Sequence, residues 1–292
     1  MYNLHLTAEQ QEFRETIRDF VEREIKPFAL HPNRLQDFEK PLPLELLDKA
    51  SQLGLRTLAL SEESGGAGAD TLTSCIVLEE IAAGDVDIAA ALAQTSTLGR
   101  LLFDLAMTPE QRKRFLLHFQ SDDRFHLAYA ARDPQVDIGW NYHRPETGDT
   151  GAMPTAVRQG SGDWVINGKT GLVANAPIAK LIAVQVKTDK GTSVLLVPRE
   201  TSGVSVSEPT NTLHQRDGET VIKWYHGSSG EITFKDCRVP GHHAIAPDCV
   251  AKLNAIHSAP QWAAVNLGVG RAAYEAAIEY TKIRRQGGRN IV

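Results

Sequence analysis

A glycine-rich hinge that feeds an acidic helix constrains this chain more than any other stretch: Ser61-Glu62-Glu63-Ser64-Gly65-Gly66-Ala67-Gly68, then Leu78-Glu79-Glu80-Ile81-Ala82-Ala83-Gly84-Asp85. Glycines clustered in this way permit a tight turn and close backbone approach. Cys75, Leu78, Ile81 and Ala82 recur at helical spacing, so one face of the helix can bury while Glu79 and Glu80 turn elsewhere. Gly66-Ala67-Gly68 is not read as a dinucleotide fingerprint, because Thr71 stands where the third glycine belongs and no buried strand precedes it. Upstream, Thr7 and Gln10 form a capping box ahead of Phe13, Ile17, Phe20, Val21 and Ile25, with Pro27 expected to stop the helix. Leu44, Leu46 and Leu47, then Leu53-Gly54-Leu55, predict a short helix and its exit. At Met107-Thr108-Pro109 a fresh helix starts, with Thr108 as N-cap and Pro109 in the first turn.

Beyond Arg124 the texture changes. Asn167-Gly168 behind Trp164-Val165-Ile166 is a hairpin signal. Stretches 181–186, 193–197 and 231–234 read as strands between Gly, Ser and Pro turns. From Val250 the helical period returns, through Leu267, Gly270, Tyr274, Ala277 and Ile278. The class is therefore α+β in three parts: a helical domain over 1–123, a β domain over 124–247 and the start of a helical domain over 248–292.

Composition narrows the setting. No run of 18 or more apolar residues occurs, so no membrane span is expected, and the start lacks a basic region followed by an apolar stretch. Cys75, Cys237 and Cys249 are scattered without metal spacing, as reduced structural thiols of a cytoplasmic protein would be. The net charge of -5 offers no basic footprint for nucleic acid. His242-His243 has no further spaced ligands, so no metal site is expected.

Five further stretches follow in order: Tyr129-Ala130-Ala131-Arg132-Asp133-Pro134, Trp164 to Lys169, Val194-Leu195-Leu196-Val197-Pro198, Phe234 to Pro240, and Tyr280-Thr281-Lys282-Ile283-Arg284-Arg285-Gln286. With the opening helix, the glycine loop and the Glu79-Glu80 helix, they make the chain resemble the acyl-CoA dehydrogenase family across nearly its whole length. The resemblance implies an N-terminal α-helical domain, a middle β-barrel domain and a C-terminal four-helix bundle, with FAD at their junction. On that expectation these residues include only the first long helix of the bundle, so that either the sequence continues or another chain covers that helix.

The chemistry implied is α,β-oxidation of an acyl-CoA thioester. A carboxylate removes the α-proton, the β-hydrogen leaves as hydride to the flavin, and an electron-transfer flavoprotein or similar acceptor takes the electrons onward. The flavin-contact positions carried over from the family are Tyr129, Ala131, Arg132, Gly148, Leu172, Ala174 and Arg284. Several depart from the family pattern. Arg132 replaces a threonine, Gly148 stands where the family's serine would lie in a step displaced by an insertion, Leu172 replaces a stacking tryptophan and Ala174 a hydroxyl residue. Arg284 matches an arginine that reaches the FAD pyrophosphate of a neighbouring subunit, with a cationic helix end as the equal alternative.

No catalytic residue is identified. The family's alternative position for the glutamate base holds Ser258, and the adjacent His257 reads as a surface or helix-start residue. Two other functions therefore stay open: a catalytically degenerate subunit that completes a homologous dehydrogenase, and a flavin-dependent monooxygenase of the same superfamily. Either a homo-oligomer or a complex with a homologous dehydrogenase subunit is expected. The segment Asp217-Gly218-Glu219 through Trp224-Tyr225-His226-Gly227 reads as a lid, a partner surface or a hairpin tip.

Overall fold

Helix α1 (Ala8–Phe20) starts on the expected capping box: Thr7 Oγ1 accepts from the Gln10 N–H, and the Thr7 N–H donates to Gln10 Oε1, each at 3.1 Å. Pro27 does not stop it. The helix passes through a π turn at Val21–Ile25 into α2 (Lys26–Ala29), which has Pro27 in its first turn. A proline costs little there, because first-turn N–H groups need no intrahelical partner. These elements belong to a computed structural model that describes residues 5–32, 42–131, 153–160, 162–207, 214–216, 219–221 and 228–291.

Helix α3 (Leu44–Gln52) exits through Gly54, whose φ of +81° is left-handed. The glycine loop is as tight as its composition predicts. A Cβ on Gly66 would lie 2.2 Å from the Leu60 carbonyl oxygen and 2.5 Å from that of Thr57, so only glycine fits. Asp104 pins the loop by accepting from the Ser61 N–H at 3.0 Å, from Ser61 Oγ at 2.8 Å and from Ser64 Oγ at 2.6 Å.

Beyond the loop run α4 (Thr71–Ala82), α5 (Val86–Gly99) and α6 (Pro109–Ser121), the last with the expected Thr108 cap. Helices α7 (Pro247–Asn254) and α8 (Pro260–Ile283) follow the β region. Helix α8 packs so closely on α4 that a Cβ on Gly268 would lie 2.3 Å from the Glu79 carbonyl oxygen. At that contact the expectation for Glu80 fails. Its side chain is only 4% exposed and takes paired bonds from Arg18 (3.2 and 2.8 Å) and Arg271 (2.7 and 2.8 Å). Burial pushes its carboxyl pKa up, but the hydrogen bonds from Arg271 and Arg18 outweigh this and leave it below the usual value. A buried carboxylate is stable only when paired in this way. The outer side of α8 is uncovered among the described residues, with Leu267, Tyr274 and Ile283 all exposed.

Seven strands form one mixed sheet: β1 (His126–Ala130), β2 (Thr155–Arg158), β3 (Trp164–Ala174), β4 (Ala179–Thr188), β5 (Gly191–Pro198), β6 (Val204–Ser207) and β9 (Ser229–Val239). Short pairs β7 (His214–Arg216) with β8 (Glu219–Val221), and β10 (Arg285–Gln286) with β11 (Arg289–Asn290), stand apart from it. The barrel implied by the resemblance is, among the described residues, a sheet with an open pairing path from β1 to β6. Asn167-Gly168 makes no hairpin either. The chain runs straight on in β3, with a register shift against β9 and Gly168 at φ +122°. Asn167 instead bridges to Asp236, accepting from its N–H at 2.8 Å and donating to Oδ1 at 3.2 Å. A side-chain bridge and a left-handed glycine serve a β-bulge as well as they serve a turn.

The two faces of the sheet bury separate cores. Leu127, Tyr129, Leu181, Ala183, Val194 and Leu196 pack with Phe103, Phe115, Phe119 and Leu253 of the helical elements. Their strand neighbours Ala128, Ala130, Ile182, Val184, Leu195 and Val197 pack on the other face with Val173 and Phe234. That alternation is the period-two rule of a strand buried on both sides. Arg56 joins the helical layer to the sheet. It is 2% exposed, donates to the carbonyls of Phe119, Gln120 and Phe125, and lies over the Phe119 ring.

Candidate functional site

The site is created by the way three strands share one edge. On one side of β4, β1 pairs in parallel against residues 179–184, and β2 enters further on at Lys187. Strand β3 is antiparallel to β2 from Trp164 to Asn167 and then runs back alongside β1. Among the described residues β1 has a hydrogen-bonded ladder with β4 alone, so its edge towards β3 carries none. A buried backbone edge without a ladder holds donors and acceptors that need partners.

Four sequence-predicted residues lie on the two strands that border this split, Tyr129 and Ala131 at β1 and Leu172 and Ala174 on β3. Val173 belongs to the far core, so Leu172 and Ala174 point to the opposite, helix-facing side by strand alternation. Tyr129 and Ala131 pack on that same side. Leu172 is 38% exposed, and Ala174 is half-buried. Arg284 is separate from them: it is exposed at the C-terminal end of α8, where its N–H donates to the Tyr280 carbonyl at 2.9 Å. Arg132 and Gly148 lie outside the described residues.

Two polar residues at the site were missed from sequence. The Tyr129 hydroxyl donates to Asn254 Oδ1 at 2.7 Å and accepts from Gln185 Nε2 at 3.0 Å, and Gln185 Nε2 also reaches Asn254 Oδ1 at 3.1 Å. Burial pushes the Tyr129 phenol up to about 12, so it stays a neutral donor. Gln185 carried a readable signal, since it is the lone polar residue in the apolar run from Leu181 to Val186. Asn254 carried none: its role comes from α7 crossing the sheet. His257 is exposed and sets its ring 6.0 Å from that of Tyr129. Ser258 is exposed, and its hydroxyl donates to the Ala255 carbonyl at 3.4 Å.

At the other end of β1 a second network anchors the split. Asn175, left-handed at φ 63° and buried, donates to the Ala91 carbonyl at 2.8 Å and to Thr95 Oγ1 at 3.0 Å. Thr95 Oγ1 in turn lies 3.1 Å from His126 Nδ1. Burial holds the His126 imidazole down to about 3, hence neutral. His243 is also buried, with Nδ1 3.0 Å from the Leu196 carbonyl, so it packs against the sheet and offers no open metal ligand pair with His242. Cys237 is a buried free thiol, pushed up by burial to about 11.

Two family models match this chain: the acyl-CoA dehydrogenase N-terminal domain over residues 7–123 and the acyl-CoA dehydrogenase middle domain over residues 145–237. Over 99% of its length the chain is 26% identical to a probable acyl-CoA dehydrogenase of Bacillus subtilis (strain 168), of which it covers 72%. In fold it is similar to butyryl-CoA dehydrogenase from Megasphaera elsdenii, with a TM-score of 0.80 at 22% identity over 99% of this chain and 73% of that one. It is also similar to a glutaryl-CoA dehydrogenase from Mycobacterium smegmatis in complex with FADH2, with a TM-score of 0.77 at 22% identity over 98% of this chain and 68% of that one. Among the described residues no helix is long and apolar enough to cross a membrane.

Proposed function

This chain belongs to the acyl-CoA dehydrogenase family, and from that premise we propose that it is an acyl-CoA dehydrogenase-like flavoprotein whose FAD ring system lies along the split between β1 and β3. The observation that carries this reading is the unladdered edge of β1 beside Ala131, Leu172 and Ala174 on one face. A planar ring system suits that surface: small and apolar side chains flank it, and backbone groups supply hydrogen bonds.

The fit is better in shape than in side-chain bonding. Ala174 has no hydroxyl, and that of Tyr129 is already engaged by Asn254 and Gln185. Each absent bond costs about 0.5–1.5 kcal/mol net, so FAD binding is weak. Arg284, exposed beyond the end of α8, is the residue for a FAD pyrophosphate in a neighbouring subunit. Bound FAD supplies the hydride acceptor for oxidation of the acyl-CoA Cα–Cβ bond, and an electron-transferring flavoprotein is the class of partner that would reoxidise it.

One observation favours a second reading. The family's base is a glutamate, and at its alternative position this chain has Ser258, a weak base whose hydroxyl is turned to its own backbone. On that reading the chain is a partner subunit of a homologous dehydrogenase. The test is to load the protein with FAD and titrate it calorimetrically, then add acyl-CoAs of several lengths without oxygen. Micromolar or weaker affinity that rises in Leu172→Trp with Ala174→Thr supports the flavin site. Bleaching of the flavin band assigns the oxidation to this chain, whereas an unbleached flavin supports the partner subunit. No FAD binding by either protein refutes the flavoprotein reading.

A further inference from the structure

A cleft of about 580 Å³ opens at the opposite end of β4 from Gln185, between α6 and the strand edge. Lys180 lines it, and at about 3.3 Å per residue Gln185 lies about 16 Å further along the strand. The cleft therefore shares the helix-facing side of the sheet with Tyr129 but lies at the other end of β4 from the Tyr129–Gln185–Asn254 trio. Its volume is in the range of small-ligand sites.

Its walls carry unequal charge. Arg114 rises from α6 on one side, and Lys180 and Arg199 come from the strand edge on the other. Lys180 is neutralised by Asp122 at 2.5 Å. Among the described residues neither Arg114 nor Arg199 has a carboxylate partner; Arg114 lies 5.8 Å over the Phe115 ring, and the Arg199 N–H donates to the Lys180 carbonyl at 2.9 Å. Glu200 is exposed at the rim. The lining also includes His118 and the Lys180–Asp122 pair, and its apolar part is formed by Phe115, Phe125, Pro177, Ile178 and Pro198.

We infer that this cleft binds an amphipathic anion, a carboxylate or phosphate monoester carried on an apolar body. Guanidinium forks match the planar oxygens of such a headgroup, and the aromatic and proline surface removes the body from water. Neither feature alone selects the ligand. An anion without a body leaves the apolar lining wet, and a body without an anion leaves the two arginines unanswered.

The test titrates the 292-residue chain with octanoate, octyl phosphate, octanol and inorganic phosphate, following backbone amide shifts by NMR. The expected result is that octanoate and octyl phosphate bind saturably, displace one another and shift Lys180, Leu181 and Arg199. Octanol and inorganic phosphate should bind at least about tenfold more weakly, and Arg114→Gln with Arg199→Gln should weaken octanoate by about tenfold or more, a loss of about 1.4 kcal/mol. Glu200→Gln, which removes a like charge from the rim, should tighten octanoate about twofold and serves as the variant if the double arginine change does not fold. Octanol binding as tightly as octanoate, an unaltered affinity in the arginine variant, shifts confined to Tyr129 and Asn254, or no saturable binding would each overturn the assignment.

Discussion

Two buried polar regions hold the molecule together, and they do so by different physics. Between the helices, the Glu80 carboxylate is clamped by Arg18 and Arg271, so a fully ionic knot joins α1, α4 and α8. Between helices and sheet, the Tyr129–Gln185–Asn254 and Asn175–Thr95–His126 networks are neutral throughout. Removing the centre of such a knot is costly, because it takes from half-buried Arg271 the carboxylate that engages it with two bonds. The Tyr129 trio can redistribute its bonds, because Gln185 and Asn254 also contact each other, whereas Asn175–Thr95–His126 is a chain joined through Thr95. The helical layer is thus tied by one charged centre and the seam by two separate neutral groups of contacts.

The largest test of that contrast is Glu80→Ala. It leaves Arg271, whose side chain is 19% exposed, with Glu79 as its one remaining carboxylate partner among the described residues (3.3 Å), while Arg18, 46% exposed, can turn to water. We expect a loss of about 3 kcal/mol in equilibrium urea unfolding, the lower end for breaking a buried pair. A loss below about 1 kcal/mol would show that the knot is no more decisive than a surface pair.

Acid should break the two regions in a set order, the seam first. The His126 imidazole is held down to about 3 and that of His243 to about 4, so below pH 6.5 the unfolded chain binds protons that the folded chain does not. Stability present above pH 6.5 is therefore lost progressively as pH falls towards 3, by at most about 1.4 kcal/mol per pH unit for each histidine. The Glu80 carboxyl, held below its usual value, contributes fully above the ordinary glutamate range, loses that contribution progressively below it and has none left once pH is below its lowered folded value. Between pH 6 and 5, His126→Gln should flatten the slope by one histidine's share, as read from urea midpoints. An unchanged slope would place the titrating group elsewhere.

The smallest effect should come from Tyr129→Phe. Gln185 and Asn254 still bond each other at 3.1 Å, so only about 0.5–1.5 kcal/mol should be lost. A larger loss in thermal unfolding would mean that the trio acts as a unit like the ionic knot.

Local chemistry was legible in the sequence, and distant pairing was not. The Thr7 and Thr108 caps depend on partners three residues away, and the glycine loop depends on the absence of a Cβ, so both could be read directly. Glu80 could not. Its partners lie 62 and 191 residues away, and nothing in a Glu-Glu pair says which carboxylate will be buried. Asn167-Gly168 and Pro27 misled because their backbone preferences fit two geometries each, and tertiary packing chose the less common one. At the candidate site the family pattern named Tyr129, Ala131, Leu172 and Ala174 as positions, whereas Asn254 reaches the Tyr129 hydroxyl only because α7 packs across the strands.

Arg56 bears on where this protein could be cut. Its guanidinium comes from the segment before the glycine loop, yet it closes the carbonyls at the end of α6 and the Phe125 carbonyl just ahead of β1. A fragment beginning at Arg124 would keep the strands but lose the group that anchors their first turn. The complementary fragment ending at Asp123 would keep a buried cation with one of its acceptors gone. The link between helices and strands is therefore a shared fixture, and a scissor placed at the change in texture would damage both halves.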